Sequence, residues 1–125
     1  LEAILADDAA PVYNPIGGMG WNGGLLDAAN LAEKLASVLI DGATDRLLDL
    51  YSLQRRTVAI EFVQEQSIAN KKRLEERDPA ARQRNLDELG RIAADPSRAR
   101  QFMLRSSMVA SQRRAASITL EEVVP

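Results

Sequence analysis

Residues 7–24 read Asp7-Asp8-Ala9-Ala10-Pro11-Val12-Tyr13-Asn14-Pro15-Ile16-Gly17-Gly18-Met19-Gly20-Trp21-Asn22-Gly23-Gly24. Ahead of them, Ile4, Leu5 and Ala6 form a short apolar run that predicts a strand over Leu1 to Ala6, already in progress where the chain opens. Two prolines and five glycines follow, which makes Ala9 to Gly24 a long loop. Gly17, Gly18 and Gly20 let a backbone approach a planar ligand without intervening side chains and adopt positive φ where needed. Asn22 is a good helix cap, and a helix start there would aim unpaired N–H donors and a positive dipole end at an anion or an electron-rich oxygen. The plain alternative is a glycine-rich turn that merely joins a strand to a helix.

Beyond the loop the pattern is helical. Leu25, Ala28, Ala29, Leu31, Ala32, Leu35, Ala36, Val38 and Leu39 recur at helical spacing until Gly42, which is expected to end the first helix. From Thr44, the stripe Leu47, Leu48, Tyr51, Val58, Phe62 and Val63 predicts a long helix bent near Arg56. Asp78-Pro79 and Asp95-Pro96 each set a capping carboxylate before a proline at the first helical position, predicting helices over 79–94 and 96–114. The fold class is therefore mainly α: one short strand, a glycine-rich loop and about four helices. With a single strand no sheet closes within the chain, so that strand needs a partner from elsewhere.

Composition narrows the chemistry. Of 125 residues 46% are apolar but only 4% aromatic, so a core of Leu, Ile, Val and Ala is expected. The sequence has no cysteine and no histidine, which excludes disulfides, thiolate nucleophiles, imidazole bases and zinc sites built on those ligands. No apolar run approaches the roughly 20 residues that cross a bilayer and no signal-peptide pattern is visible, so a cytoplasmic protein without a membrane partner is expected. Residues 1–70 hold 4 basic and 10 acidic groups, a net −6, against 12 and 8 in residues 71–125, a net +4. Lys71, Lys72, Arg73 and Arg77 open the basic half, but Glu75, Glu76, Asp87 and Glu88 interleave with its arginines. Stacking aromatics are absent, so the stretch reads as a solvated, ion-paired helix face and nucleic acid is not an expected partner. Glu61 and Glu65, four apart, read as exposed helix charges rather than an acid–base pair, and Met103 and Met108 as core fillers or contacts to another domain.

The order of residues from Ala6 to Leu35 resembles the second flavin-binding motif of the class A FAD-dependent monooxygenases, the aromatic hydroxylases related to para-hydroxybenzoate hydroxylase. That motif runs Gly-Asp-Ala-Ala-His, a proline, a glycine-rich turn, an asparagine, then Asp-Ala-x-Asn-Leu. Tyr51, Arg55, Arg56, Val58 and Ala59 resemble the Tyr-x-x-x-Arg-Arg-x-Val-Ala stretch that follows it. The resemblance implies FAD as cofactor, NAD(P)H as reductant, and oxygen transfer to a small aromatic substrate. It implies no protein catalytic residue and no metal, since the flavin carries the reaction.

By position, Asp8 resembles the carboxylate that accepts a hydrogen bond from a ribityl hydroxyl, and Pro15 the proline beside the reacting edge of the flavin. Gly17, Gly18 and Gly20 form the close-approach turn, and the amides around Trp21 and Asn22 resemble those that meet the pyrimidine end. Asp27 and Asn30 are expected to serve helix packing instead. The parent protein is implied to be α+β, with residues 1–42 the end of its FAD-binding domain and 43–125 a carboxyl-terminal helical region. The Gly-x-Gly-x-x-Gly turn for the adenosine diphosphate end is expected in an amino-terminal remainder, so the chain alone should be inactive. A homodimer is compatible with the basic helices. The rival expectation is a non-enzymatic helical interaction module, or a degenerate copy that assembles with a separate amino-terminal chain.

Three positions depart from the motif. Asp7 stands where the family has glycine, Pro11 replaces the common histidine, and Thr57 stands where proline is frequent. The first is expected to weaken FAD binding, the second to change loop geometry, and the third to let the helix run on.

Overall fold

Two Asp-Pro signals fix the later helices. In the computed structural model, which describes residues 4–6 and 18–123, Asp78 accepts from the amides of Ala80 and Ala81, and Asp95 from those of Ser97 and Arg98. They cap α4 (Pro79–Ala94) and α5 (Pro96–Ser106), each with proline in the first turn. The order before them is α1 (Met19–Leu39), α2 (Arg46–Val58), a π-helical segment (Ala59–Gln64) and α3 (Glu65–Glu75). After them come α6 (Val109–Ser117) and a 3₁₀ turn (Leu120–Glu122). The chain is mainly α, as its periodicity predicts, and no strand occurs among the described residues.

Of the strand expected over Leu1 to Ala6 only Ile4–Ala6 lie among the described residues, and there they stand outside regular structure. Tyr51 ties them down, its Oη donating to the Leu5 carbonyl at 2.7 Å.

Three helix boundaries differ from expectation, while the long rod runs on past Thr57 as expected. α1 starts at Met19, with Gly18 as its cap at φ 64°, so Asn22 lies inside the helix rather than at its cap. It ends at Leu39, and Gly42, at φ 68°, turns the chain three residues later. The rod from Arg46 to Glu75 passes Thr57 without a break, since threonine keeps the N–H that proline would lack. Its irregularity is the π segment, which begins three residues beyond Arg56. Finally, the helix expected over 96–114 breaks at Ser107 and Met108, because Met108 adopts φ 63°. A left-handed methionine costs about 1–2 kcal/mol and must be held by its surroundings.

Packing explains both the π segment and Met108. On the long rod, Tyr51, Val58, Val63 and Ser67 are buried, and the step from Val58 to Val63 is five residues rather than the usual three or four. A π turn supplies that offset; an unbroken α-helix would have turned Phe62 inward. Phe62 is instead half-buried beneath the Arg105 guanidinium, 5.0 Å from its ring centroid. Val63 packs with Met19 and Met108, with Leu26 alongside. A second cluster joins Leu50, Ile118 and Val123, flanked by Leu47, Leu53 and Leu120, and holds the carboxyl-terminal turn on α2. Arg46 reinforces that cluster by donating to the carbonyls of Leu120 and Val123.

The basic half is ion-paired at the surface. Arg98 and Arg91 meet Glu88, Lys71 meets Glu75, and Arg84 meets Asp78. Glu61 pairs with Arg114 at 3.1 Å and Glu65 with Arg105, as expected for exposed helix charges. Met108 is a core residue, whereas Met103 is exposed.

Candidate functional site

The glycine turn delivers the chain into α1 through a backbone conformation that few residues tolerate. Gly18 sits at φ 64°, ψ 22°; a Cβ there would meet no neighbour, so conformation rather than space favours glycine. Of the expected site residues, Gly18, Gly20, Trp21 and Asn22 are brought together over the first turn of α1. Asp8, Pro15 and Gly17, with Asp7 and Pro11, lie outside the described residues.

Among the described residues no side chain caps α1, and no acidic residue stands in its first turn. Asn22 faces the other way from a cap: its Nδ2 donates to the Gly18 carbonyl at 3.0 Å rather than its oxygen accepting from the first amides. The first amides of a helix need an acceptor from outside it, and the dipole favours an electron-rich one. α4 and α5 differ, for Asp78 and Asp95 already occupy their first amides. Beside this turn Met19 is buried at 5% exposure while Trp21 is 75% exposed. A cleft of about 290 Å³ separates it from the α5–α6 corner, with Met19, Asn22 and Leu25 on one wall and Ser106 and Ser107 on the other.

Sequence reasoning passed over one pattern here. The spacing Gly-x-Gly-x-x-Gly, expected only upstream, also occurs at Gly18, Gly20 and Gly23. Gly18 and Gly20 open the helix as such a turn would, yet Gly23 is buried inside α1, and no strand pairs beside it among the described residues.

Polar contacts hold α1 against α2 behind the turn. Asp27 accepts from Arg55 Nε in a pair whose side chains are 4% and 8% exposed. Asn30 donates to Gln54 Oε1 at 3.2 Å, and Gln54 Nε2 donates to the Ile118 carbonyl at 3.0 Å. Lys34 donates to Asn30 Oδ1 at 2.9 Å, and burial lowers its pKa below the ordinary lysine value. Tyr51 lies near the pair, where burial, helped by the Asp27 carboxylate and opposed by Arg55, raises its phenol above the usual value. Asp27 and Asn30 therefore serve packing, as expected. In the sequence their partners Arg55 and Gln54 show only as polar residues on the apolar stripe of a helix, Arg55 also within the stretch resembling Tyr-x-x-x-Arg-Arg-x-Val-Ala, and neither sign names the contact.

Residues 2–66 match the family described as FAD binding domain. Among curated proteins, the chain is 44% identical over 103 residues to para-nitrophenol 4-monooxygenase of Pseudomonas sp. (strain WBC-3), covering 82% of this chain and 26% of that protein. It is 46% identical over 94 residues to tetracenomycin B2 monooxygenase-dioxygenase of Streptomyces olivaceus, covering 75% and 16% respectively. It is 38% identical over 78 residues to 6-hydroxy-3-succinoylpyridine 3-monooxygenase of Pseudomonas putida (strain DSM 28022 / S16), covering 62% and 20%. The chain thus spans about a quarter or less of the length of these relatives. No solved structure matches it at a significant level.

Proposed function

The chain belongs to the FAD binding domain family, and from that premise we propose that it is the carboxyl-terminal piece of a flavin-dependent monooxygenase that hydroxylates an aromatic compound. The observation that carries this reading is the uncapped start of α1. It lies inside the family match, follows a glycine in the left-handed region, and among the described residues has no side-chain cap on its first amides.

These residues fit the cofactor. Amides from Met19 onward would donate to the electron-rich pyrimidine edge of the flavin, favouring its reduced, negatively charged form. Gly17, Gly18 and Gly20 would leave room for the ring, and Pro15 would stand beside its reacting edge. Asp8 would accept from a ribityl hydroxyl, a strong bond because the acceptor is ionised. FAD, when bound, supplies the redox chemistry between NAD(P)H and O₂; the chain's own groups bind, orient and polarise.

Residues 1–42 would form the end of the FAD-binding domain, and 43–125 the carboxyl-terminal helical region behind them. This division is one of role, since Asp27 and Arg55 bind the two parts tightly. The outer face of α1 is apolar and uncovered, with Trp21 at 75%, Leu25 at 50% and Leu39 at 73% exposure. Such a stripe suits an intramolecular partner, the amino-terminal remainder of the flavoprotein. Within the described residues no helix is long and apolar enough to cross a membrane, and we place the enzyme in the cytoplasm.

The test is the full-length protein. It should purify with, or take up, FAD, and oxidise NAD(P)H faster when a phenolic substrate is present, with oxygen appearing in the product. A full-length protein whose absorbance shows no flavin after incubation with FAD would refute the reading.

A further inference from the structure

Three backbone irregularities meet at one small cluster. Gly18, in the left-handed region, leads into Met19. The π segment brings Val63 inward. Met108, at φ 63°, breaks what would otherwise be a continuous helix. Met19, Val63 and Met108 are 5%, 2% and 6% exposed and pack on one another.

We infer that Met108 is a positioning residue for the flavin-facing start of α1, an inference that rests on the reading proposed above. Its left-handed backbone would suit glycine far better, yet glycine would remove the side chain that packs on Met19 and Val63. The methionine is retained at a conformational cost because its side chain fills that gap. The surface it presses on is itself anchored. Arg105, in the last turn of α5, donates to the Glu61 carbonyl within the π segment at 3.2 Å and pairs with Glu65, while Arg114 of α6 pairs with Glu61. The α5–α6 corner is thereby fixed to the long rod on one side and bears on Met19 on the other. Met19 carries one of the first amides of α1, so a shift of Met108 moves the donors that would face the flavin.

The experiment uses the full-length flavoprotein with Met108→Gly, Met108→Leu and, as a control, Ile118→Ala, which empties the other cluster. FAD dissociation and the midpoint potential of bound flavin are measured alongside Tm. Met108→Gly should bind FAD about tenfold more weakly, because small displacements of aligned groups are costly, and its flavin should be harder to reduce. Met108→Leu keeps the volume and should restore both. Ile118→Ala should lower Tm with affinity and potential unchanged. The inference is overturned if Met108→Gly leaves both flavin readouts at parental values, or if Ile118→Ala moves them equally. A parent that binds no flavin would sink the functional reading itself, and this inference with it.

Discussion

Asp27 on α1 and Arg55 on α2 form a buried ion pair 28 positions apart in sequence. Removing one partner strands the other charge in the core, so Asp27→Asn should cost about 3–5 kcal/mol in denaturant unfolding. Replacing both, as Asp27→Leu with Arg55→Met, should recover most of that loss because no lone charge remains. A double variant as unstable as the single one would show that the pair contributes geometry that apolar packing cannot replace.

Tyr51 gives the fold an alkaline limit. Its phenol is nearly fully buried, donates to the Leu5 carbonyl, and has a pKa above the ordinary value. The folded state therefore holds this proton more tightly than the unfolded chain. Its contribution is complete below about pH 10, the unfolded value, and is lost as pH rises through the higher folded value. Tyr51→Phe should lose about 1 kcal/mol at neutral pH and flatten the alkaline end of a stability–pH curve. An unchanged alkaline slope would argue against this residue as its source.

Ser67 is buried on α3, and among the described residues its Oγ has no hydrogen-bond partner. Ser67→Ala should be neutral or raise stability by up to about 1 kcal/mol, since an unsatisfied hydroxyl is removed from the core. A clear loss in thermal unfolding would mean that the hydroxyl is satisfied in the full-length protein.

Asp7 and Asp8 are neighbours that should act oppositely on the proposed flavin site. Asp8→Ala removes an ionised acceptor and should weaken FAD by about tenfold to a hundredfold, equivalent to roughly 1.5–3 kcal/mol. Asp7→Gly restores backbone freedom and removes a carboxylate from the neighbourhood of the phosphates, so it should tighten binding. FAD dissociation followed by fluorescence in the full-length protein decides the matter. Greater weakening from Asp7→Gly than from Asp8→Ala would show the alignment to be shifted by one residue.

What the sequence revealed depended on the range of the interaction. Asp78-Pro79 and Asp95-Pro96 are local signals in which one side chain meets amides two and three residues on, and both helix starts fell where expected. Asn22 misled because an amide side chain can donate as well as accept; the true cap, Gly18, has no side chain from which to read a cap. The break at Met108 and the π step between Val58 and Val63 have no local signature, for each is enforced by the other and by Met19 from distant parts of the chain. At the site, the described portion of the glycine turn was legible from residue order, whereas the Asp27–Arg55 tie behind it emerged only from packing.

Trp21 is the only tryptophan in the chain, and it stands three-quarters exposed on the turn that would meet the flavin. Its indole emission therefore reports on that one place and on no other part of this segment. Water around the ring would give a red-shifted band, burial against the remainder of the protein a blue-shifted one, and an adjacent isoalloxazine would quench it by energy transfer. The segment carries an intrinsic optical reporter, so the order in which the apolar face is covered and the cofactor arrives can be followed in time without attaching a dye.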